Sequence, residues 1–163
     1  MKSLVSITKK NYQNYLSSII EIERSSFLSP WSTDSFVQEI KNPISHLWAL
    51  ILKSNLSAYI CFWMFASEIQ VINIAVHPEW RGKGFGHSLL IQMIKAGISK
   101  GIQQVWLEVR LTNMPAKRLY EKLGFFEVGR RRNYYGDTNE DAIIMVLSLT
   151  ENKKYRLVSN EPI

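Results

Sequence analysis

The thirteen residues from Ile74 to Gly86 constrain this chain more than any other stretch. They read Ile-Ala-Val-His-Pro-Glu-Trp-Arg-Gly-Lys-Gly-Phe-Gly. An apolar strand-like run breaks at Pro78, a glycine-rich turn follows, and the turn opens directly into an apolar-periodic helix over roughly 84–100. Glycine accepts backbone conformations that other residues avoid, so such a turn can aim several N–H groups at one point. A helix start adds unpaired N–H donors and positive potential at the same place. Together these features predict a socket for a diphosphate. The pattern, Arg-x-x-Gly-x-Gly over Arg81–Gly86, is neither a Walker A loop nor Gly-x-Gly-x-x-Gly. The next strand-like run is Gln104–Val109, so strand, helix and strand imply a parallel crossover within a mixed sheet.

The flanking segments supply the rest of an α/β order. Tyr15, Ile19, Ile20 and Ile22 recur near helical spacing and predict a helix over 10–24. Pro30-Trp31-Ser32 reads as a turn, with Ser32 or Thr33 capping a second helix over 34–41. Strand-like runs at 46–53, 57–66 and 68–76, punctuated by Asn55 and Ser67, predict an antiparallel meander. In the helix after the glycine turn, Phe85, Leu89, Leu90, Met93, Ile94, Gly97 and Ile98 share one face, and Gly101 suits the position just past its end. A short helix over 115–123, stopped by Gly124, and strands at 125–132 and 141–149 complete the domain. Residues 1–149 are expected to form a single domain, and 150–163 a polar, loose tail.

Composition narrows the class. At 163 residues, 46% hydrophobic and 21% charged, the chain suits one folded domain with a sizeable core. No apolar run reaches the roughly 18 residues of a membrane span. Lys9 and Lys10 interrupt what would be a leader's apolar core, so a cytoplasmic protein without membrane contact is expected. Cys61 stands alone in an apolar run and reads as a buried, inert thiol, and no metal site is expected. The net charge of +6 favours anionic ligands, coenzyme phosphates or RNA. Only Arg130-Arg131-Arg132 clusters tightly; it reads equally as a solvated strand end or as a weak RNA or ribosome contact.

With Ile74-Ala75-Val76 before it and Asn113, Leu119-Tyr120 and Gly124-Phe125 after it, the glycine segment resembles the acetyl-CoA-binding core of the GNAT N-acetyltransferases. The resemblance covers roughly residues 3–149. Within that superfamily, several separated motifs look like the RimI type, the ribosomal-protein-alanine N-acetyltransferases. They are Pro30-Trp31-Ser32, Asn73-Ile74-Ala75-Val76, Leu107-Glu108-Val109-Arg110, Arg131-Arg132-Asn133-Tyr134-Tyr135 and Glu140-Asp141-Ala142-Ile143-Ile144-Met145. The resemblance implies a GNAT fold: a mixed central sheet, splayed open around acetyl-CoA between 70–76 and 104–109, flanked by about four helices. It implies that the backbone of Ile74, Ala75 and Val76 holds the acetyl and pantetheine groups. Arg81, Gly82, Lys83, Gly84, Phe85, Gly86 and His87 would form the diphosphate socket, with Asn113 further along the coenzyme.

For the chemistry, Trp106, Glu108 and Arg110 share one face of their strand. A carboxylate partly desolvated beside an aromatic becomes a stronger base, while the plainer alternative is a glutamate paired with Arg110. The resemblance makes Glu108 the proton acceptor and Tyr120 the proton donor to the leaving thiolate. It also makes Tyr134 and Tyr135, in the connection between the last two strands, a wall of the peptide groove, with Trp31 opposite. The implied acceptor is a protein N-terminus, the N-terminal alanine of a small-subunit ribosomal protein, attacked directly in a ternary complex. Acetylation of lysine or small amines, and a non-catalytic ribosome-associated module, remain the rival readings. Two features depart from the pattern. His77 stands where relatives often carry an acid, and a basic substrate would need groove acids, for which Glu23, Glu39, Glu140 and Asp141 are candidates.

Overall fold

Strand-forming alternation dominates the chain, and in the computed structural model, which describes residues 2–152, 154 and 155, it yields a seven-stranded mixed sheet. The elements run β1 (Lys2–Ile7), α1 (Leu16–Ser26), α2 (Thr33–Lys41), β2 (Ser45–Leu52), β3 (Asn55–Phe65), β4 (Glu68–Val76), α3 (Phe85–Ser99), β5 (Gln104–Arg110), α4 (Met114–Leu123), β6 (Phe126–Tyr135) and β7 (Glu140–Ser148). The strand order is β1-β2-β3-β4-β5-β7-β6. Parallel pairing joins β4 to β5 at Glu68↔Gln104, Ile69↔Val105 and Gln70↔Trp106, and both strands run on past the last pair.

Contacts sort the chain into two units: the chain up to Met64 with Ile72–Met93, and Phe65–Val71 with the chain from Ile94 onward. In the first unit, Ile19, Ile20 and Ile22 of α1 and Phe36 of α2 pack with Leu47, Ala49, Leu56, Tyr59, Cys61 and Ala75. Ser32 caps α2, accepting the Ser35 N–H at 3.1 Å. Cys61 is buried, as its apolar surroundings imply, and burial pushes its thiol up to about 12. In the second unit, Val105, Leu107 and Val109 fill the inner face of β5, and Ala142, Ile143, Met145 and Leu147 of β7 are likewise buried. Gly97 lets α3 approach closely, since a Cβ there would lie 2.9 Å from Ile69 Cδ1. Gly124 ends α4 at φ +104°, with the Phe125 N–H returning to the Tyr120 carbonyl at 3.0 Å.

Several expectations need correction. β1 was not foreseen; it is an edge strand paired only with β2 and mostly exposed, so it carries little apolar alternation. The first helix begins at Leu16 rather than near 10, because the Asn11 side chain accepts the Thr8 N–H and donates to the Ser6 carbonyl, building a turn instead. The first hairpin turns at Lys53-Ser54, where φ is positive, just before Asn55, which already belongs to β3; the second turns at Ala66-Ser67, as expected at Ser67. β6 continues to Tyr135 instead of stopping near 132, so Tyr134 and Tyr135 lie on the strand rather than in the connection. Packing also runs past residue 149: Tyr155 is 4% exposed and donates to the Leu123 carbonyl at 2.7 Å. Residues 156–163 of the expected tail lie outside the described residues.

Among the described residues, no helix is long and apolar enough to cross a membrane, and no group of three or more His, Cys, Asp or Glu is placed to hold a metal ion.

Candidate active site

The socket residues form a continuous piece of the first unit. β4 ends where the His77 N–H donates to the Ser57 carbonyl at 2.8 Å. A single 3-10 turn, Pro78–Trp80, follows, and the His77 imidazole accepts the Glu79 N–H. Gly82 and Gly84 then adopt φ +73° and +85°, in the left-handed region. A Cβ built on either would meet no atom within 4 Å, so the curled backbone borders open space. The first bond of α3 is Ser88 N–H to the Gly84 carbonyl, which leaves the earlier N–H groups at the helix start facing outward. This is a cradle that fits a diphosphate: donors without intrahelical partners, positive helix potential, and no side chain in the way.

The side chains around this cradle do different work. Phe85 is buried against Trp80, so only its backbone is available to a ligand. Lys83 stands over the Trp80 ring at 5.0 Å. Arg81 is committed to the loop: its Nε donates to the Val76 carbonyl at 3.0 Å, and its guanidinium reaches Ser26 Oγ at 2.9 Å and the Ser25 carbonyl. Arg81 therefore stitches the socket to the end of α1, and Lys83 and the half-buried His87 remain as rim groups. Ala75 is buried, while Ile74 and Val76 are partly accessible. Trp31 packs its ring 5.1 Å from Phe36 and is half-buried.

The second unit holds the proposed acid and base. Alternation on β5 puts Trp106, Glu108 and Arg110 opposite its buried face, as read from the sequence. The Glu108 side chain is 18% exposed, and its Oε1 pairs with Arg131 Nε at 2.8 Å. The Tyr134 hydroxyl also hydrogen-bonds Glu108, and that bond is the main reason its phenol titrates higher than usual. Arg110 is not Glu108's partner. It forms a fork on Asp137 at 2.7 and 2.9 Å and lies 4.0 Å from the Tyr135 ring centre. Burial, partly opposed by Arg110, pushes Tyr135 up to about 12. Tyr120 is 6% exposed beside Phe125, and burial, then Tyr135, drives its pKa well above the usual phenol range. Asn113 caps α4 by accepting the Ala116 N–H at 3.3 Å.

Two features escaped the sequence reading. Arg131 reaches Glu108 because Ile144 on β7 lies opposite both Glu108 and Gly129, which puts Arg131, two residues beyond Gly129, on the same face. Only the β5-β7-β6 order brings them together. The Trp106 indole N–H, on that same face of β5, is buried without a hydrogen-bond partner. The four acids considered as groove charge are all engaged. Glu39 accepts the Trp63 indole N–H, Glu140 accepts from Thr112 and thereby titrates low, and Asp141 accepts the Asn133 N–H. Glu23 is 1% exposed within the first unit and holds three donors.

A family model described as the acetyltransferase (GNAT) family matches residues 16–125. A Bacillus subtilis (strain 168) protein, provisionally named a ribosomal protein bS18-alanine N-acetyltransferase, is 40% identical over 134 residues, covering 82% of this chain and 89% of that protein. The crystal structure of the ribosomal-protein-S18-alanine N-acetyltransferase from Escherichia coli superimposes with a TM-score of 0.82 at 33% identity, covering 91% of this chain and 94% of that one. Arabidopsis thaliana NAA60 in complex with acetyl-CoA shares the fold, with a TM-score of 0.78 at 18% identity over 91% of this chain and 98% of that one.

Proposed function

This chain belongs to the acetyltransferase (GNAT) family, and on that premise we propose that it transfers the acetyl group of acetyl-CoA to a protein N-terminal α-amine. The acceptor we assign is the N-terminal alanine of ribosomal protein bS18. The observation that carries the assignment is the likeness, over nearly the full length of both chains, to the Escherichia coli enzyme named for that reaction. A ribosomal acceptor puts the encounter in the cytoplasm. Contact with ribosomal RNA would draw on Arg132 and on the outward faces of Arg130 and Arg131, whose inner contacts are Glu127 and Glu108.

Acetyl-CoA supplies an acyl group activated as a thioester. The N–H groups of Gly82–His87 bind its diphosphate through charge-assisted bonds of about 1.5–3 kcal/mol each. The backbone of Ile74–Val76 orients the acetyl end, and an N–H near Val76 steadies the negative charge that develops on the carbonyl oxygen. Glu108 removes the α-ammonium proton through Oε2, while Arg131 holds Oε1. The amine nitrogen then forms the new bond to the acyl carbon, the carbon–sulfur bond breaks, Tyr120 Oη delivers its proton to the departing sulfur, and the surplus proton on the amide nitrogen passes through solvent to restore the phenol. Burial keeps that phenol protonated at neutral pH.

Proton energetics favour an N-terminus over lysine as acceptor. An α-amine with pKa about 8 costs roughly 1.4 kcal/mol to neutralise at pH 7, and a lysine amine near 10.4 costs roughly 4.6. One glutamate base matches the smaller demand. Incubation of the protein with acetyl-CoA and a peptide panel, read by mass spectrometry, tests the reading. A gain of about 42 Da at an N-terminal alanine is expected, and a gain confined to lysine amines refutes it.

A further inference from the structure

Glu23 has no place in the chemistry above, yet it is the most thoroughly enclosed charged side chain among the described residues, at 1% exposure. A carboxylate removed from water is costly unless its oxygens are fully bonded. Here they are. Oε1 accepts the Trp31 backbone N–H at 2.9 Å, and Oε2 accepts the Asn73 amide at 2.8 Å together with the Tyr59 hydroxyl. Tyr59 is itself fully buried, and burial followed by the Glu23 charge holds its phenol protonated, so it remains a donor.

These three donors come from different parts of one unit. Trp31 lies in the link between α1 and α2, Tyr59 on β3, and Asn73 on β4, immediately before Ile74-Ala75-Val76. The Trp31 ring leans on Phe36, and Phe36 meets Tyr59 edge-on at 5.7 Å. One carboxylate thus ties the backbone under Trp31 to the strand whose next residues receive the acetyl group. An apolar residue of similar size would fill the same space but leave three buried donors without an acceptor, each at its full desolvation penalty. Nor could it fix the α1–α2 link against β4.

We infer that Glu23 is a positioning residue for the acceptor: it holds Trp31, and with it one side of the peptide path, in register with residues 73–76 of β4. The inference rests on the acetyl-transfer reading and on Trp31 lining that path. It assigns to α1 a role in acceptor affinity that is separate from coenzyme binding by Gly82–His87.

The test uses the full chain and two variants, Glu23→Leu and Glu23→Gln, assayed with an alanine-initiated peptide, by acetyl-CoA calorimetry and by amide hydrogen exchange at Trp31. Leucine removes the acceptors, whereas glutamine keeps an oxygen for the Trp31 N–H and can pair with a turned Asn73 amide. For Glu23→Leu the expected result is a peptide KM raised by about 10-fold or more, faster exchange at Trp31 and an unchanged acetyl-CoA affinity. Glu23→Gln should recover most of the KM. An unchanged peptide KM in the leucine variant, or equal losses for peptide and coenzyme, overturns the assignment. Should the leucine variant not fold, Glu23→Asp replaces it. Its carboxylate sits one methylene short, and wild-type KM with wild-type exchange at Trp31 again overturns the assignment. If the parent protein acetylates no N-terminal peptide, the transferase reading fails on its own, while exchange at Trp31 still reports whether Glu23 holds the link.

Discussion

Substituting Gly84 by alanine separates the folding role of the socket glycine from its binding role. Gly84 sits at φ +85°, and an added Cβ would touch nothing within 4 Å. The folding penalty is therefore purely conformational, about 1–2 kcal/mol for an L-residue in the left-handed region. Reduced entropy of the unfolded chain offsets about 0.4–1 kcal/mol of it. The net loss, about 0–1.6 kcal/mol, corresponds to a Tm drop of at most roughly 6 °C for a chain of this size. In the bound state the new methyl occupies the open face that the diphosphate needs. Losing even one charge-assisted bond of about 1.5–3 kcal/mol weakens acetyl-CoA binding by roughly 10- to 150-fold. Gly101 provides a matched control. Its φ is +76°, its added Cβ also meets nothing within 4 Å, and it lies beyond the opposite end of α3. Gly101→Ala should lower Tm by a similar amount and leave the Kd for acetyl-CoA unchanged. Calorimetry and thermal melts on both variants decide the matter. A wild-type Kd in Gly84→Ala, or equal loss of affinity in both variants, refutes the socket assignment.

Glu108→Gln should lower kcat by about 100-fold or more with acetyl-CoA affinity preserved, and part of the rate should return toward pH 9 as more amine becomes neutral; an undiminished kcat at pH 7 removes Glu108 from the base role. Tyr59 and Tyr120 both titrate above the ordinary phenol value because they are buried, so above about pH 10 the folded chain retains protons that the unfolded chain releases. Stability is therefore full below that pH and falls as pH rises through it, by up to about 1.4 kcal/mol per unit for each phenol, and urea midpoints at pH 9 and 11 should show the loss, reduced in Tyr120→Phe. Ser32→Ala removes the acceptor of the Ser35 N–H at the start of α2 and should cost about 1 kcal/mol, seen as a Tm lower by roughly 2–4 °C with acetyl-CoA affinity intact.

Local chemistry made much of this protein legible from its residues alone. The break at Pro78, the glycines at 82 and 84 and the apolar stripe of α3 depend on neighbours a few positions apart, and backbone sterics dictate the outcome. The alternation of β5 likewise put Glu108 opposite Val105, Leu107 and Val109, and the cap at Ser32 and the stop at Gly124 followed from short-range hydrogen bonding. The partners across the sheet were different. Arg131 meets Glu108 only because β7 inserts between β5 and β6, and Arg110 turns to Asp137 because the turn that joins β6 to β7 lies beside it. The Glu23 clamp gathers Trp31, Tyr59 and Asn73 from positions up to 50 residues away in sequence. Ion pairs and buried hydrogen bonds form wherever geometry brings donors to acceptors, and strand order and register set that geometry. A linear pattern names the groups that can react or bind, whereas the packed sheet selects which of them meet.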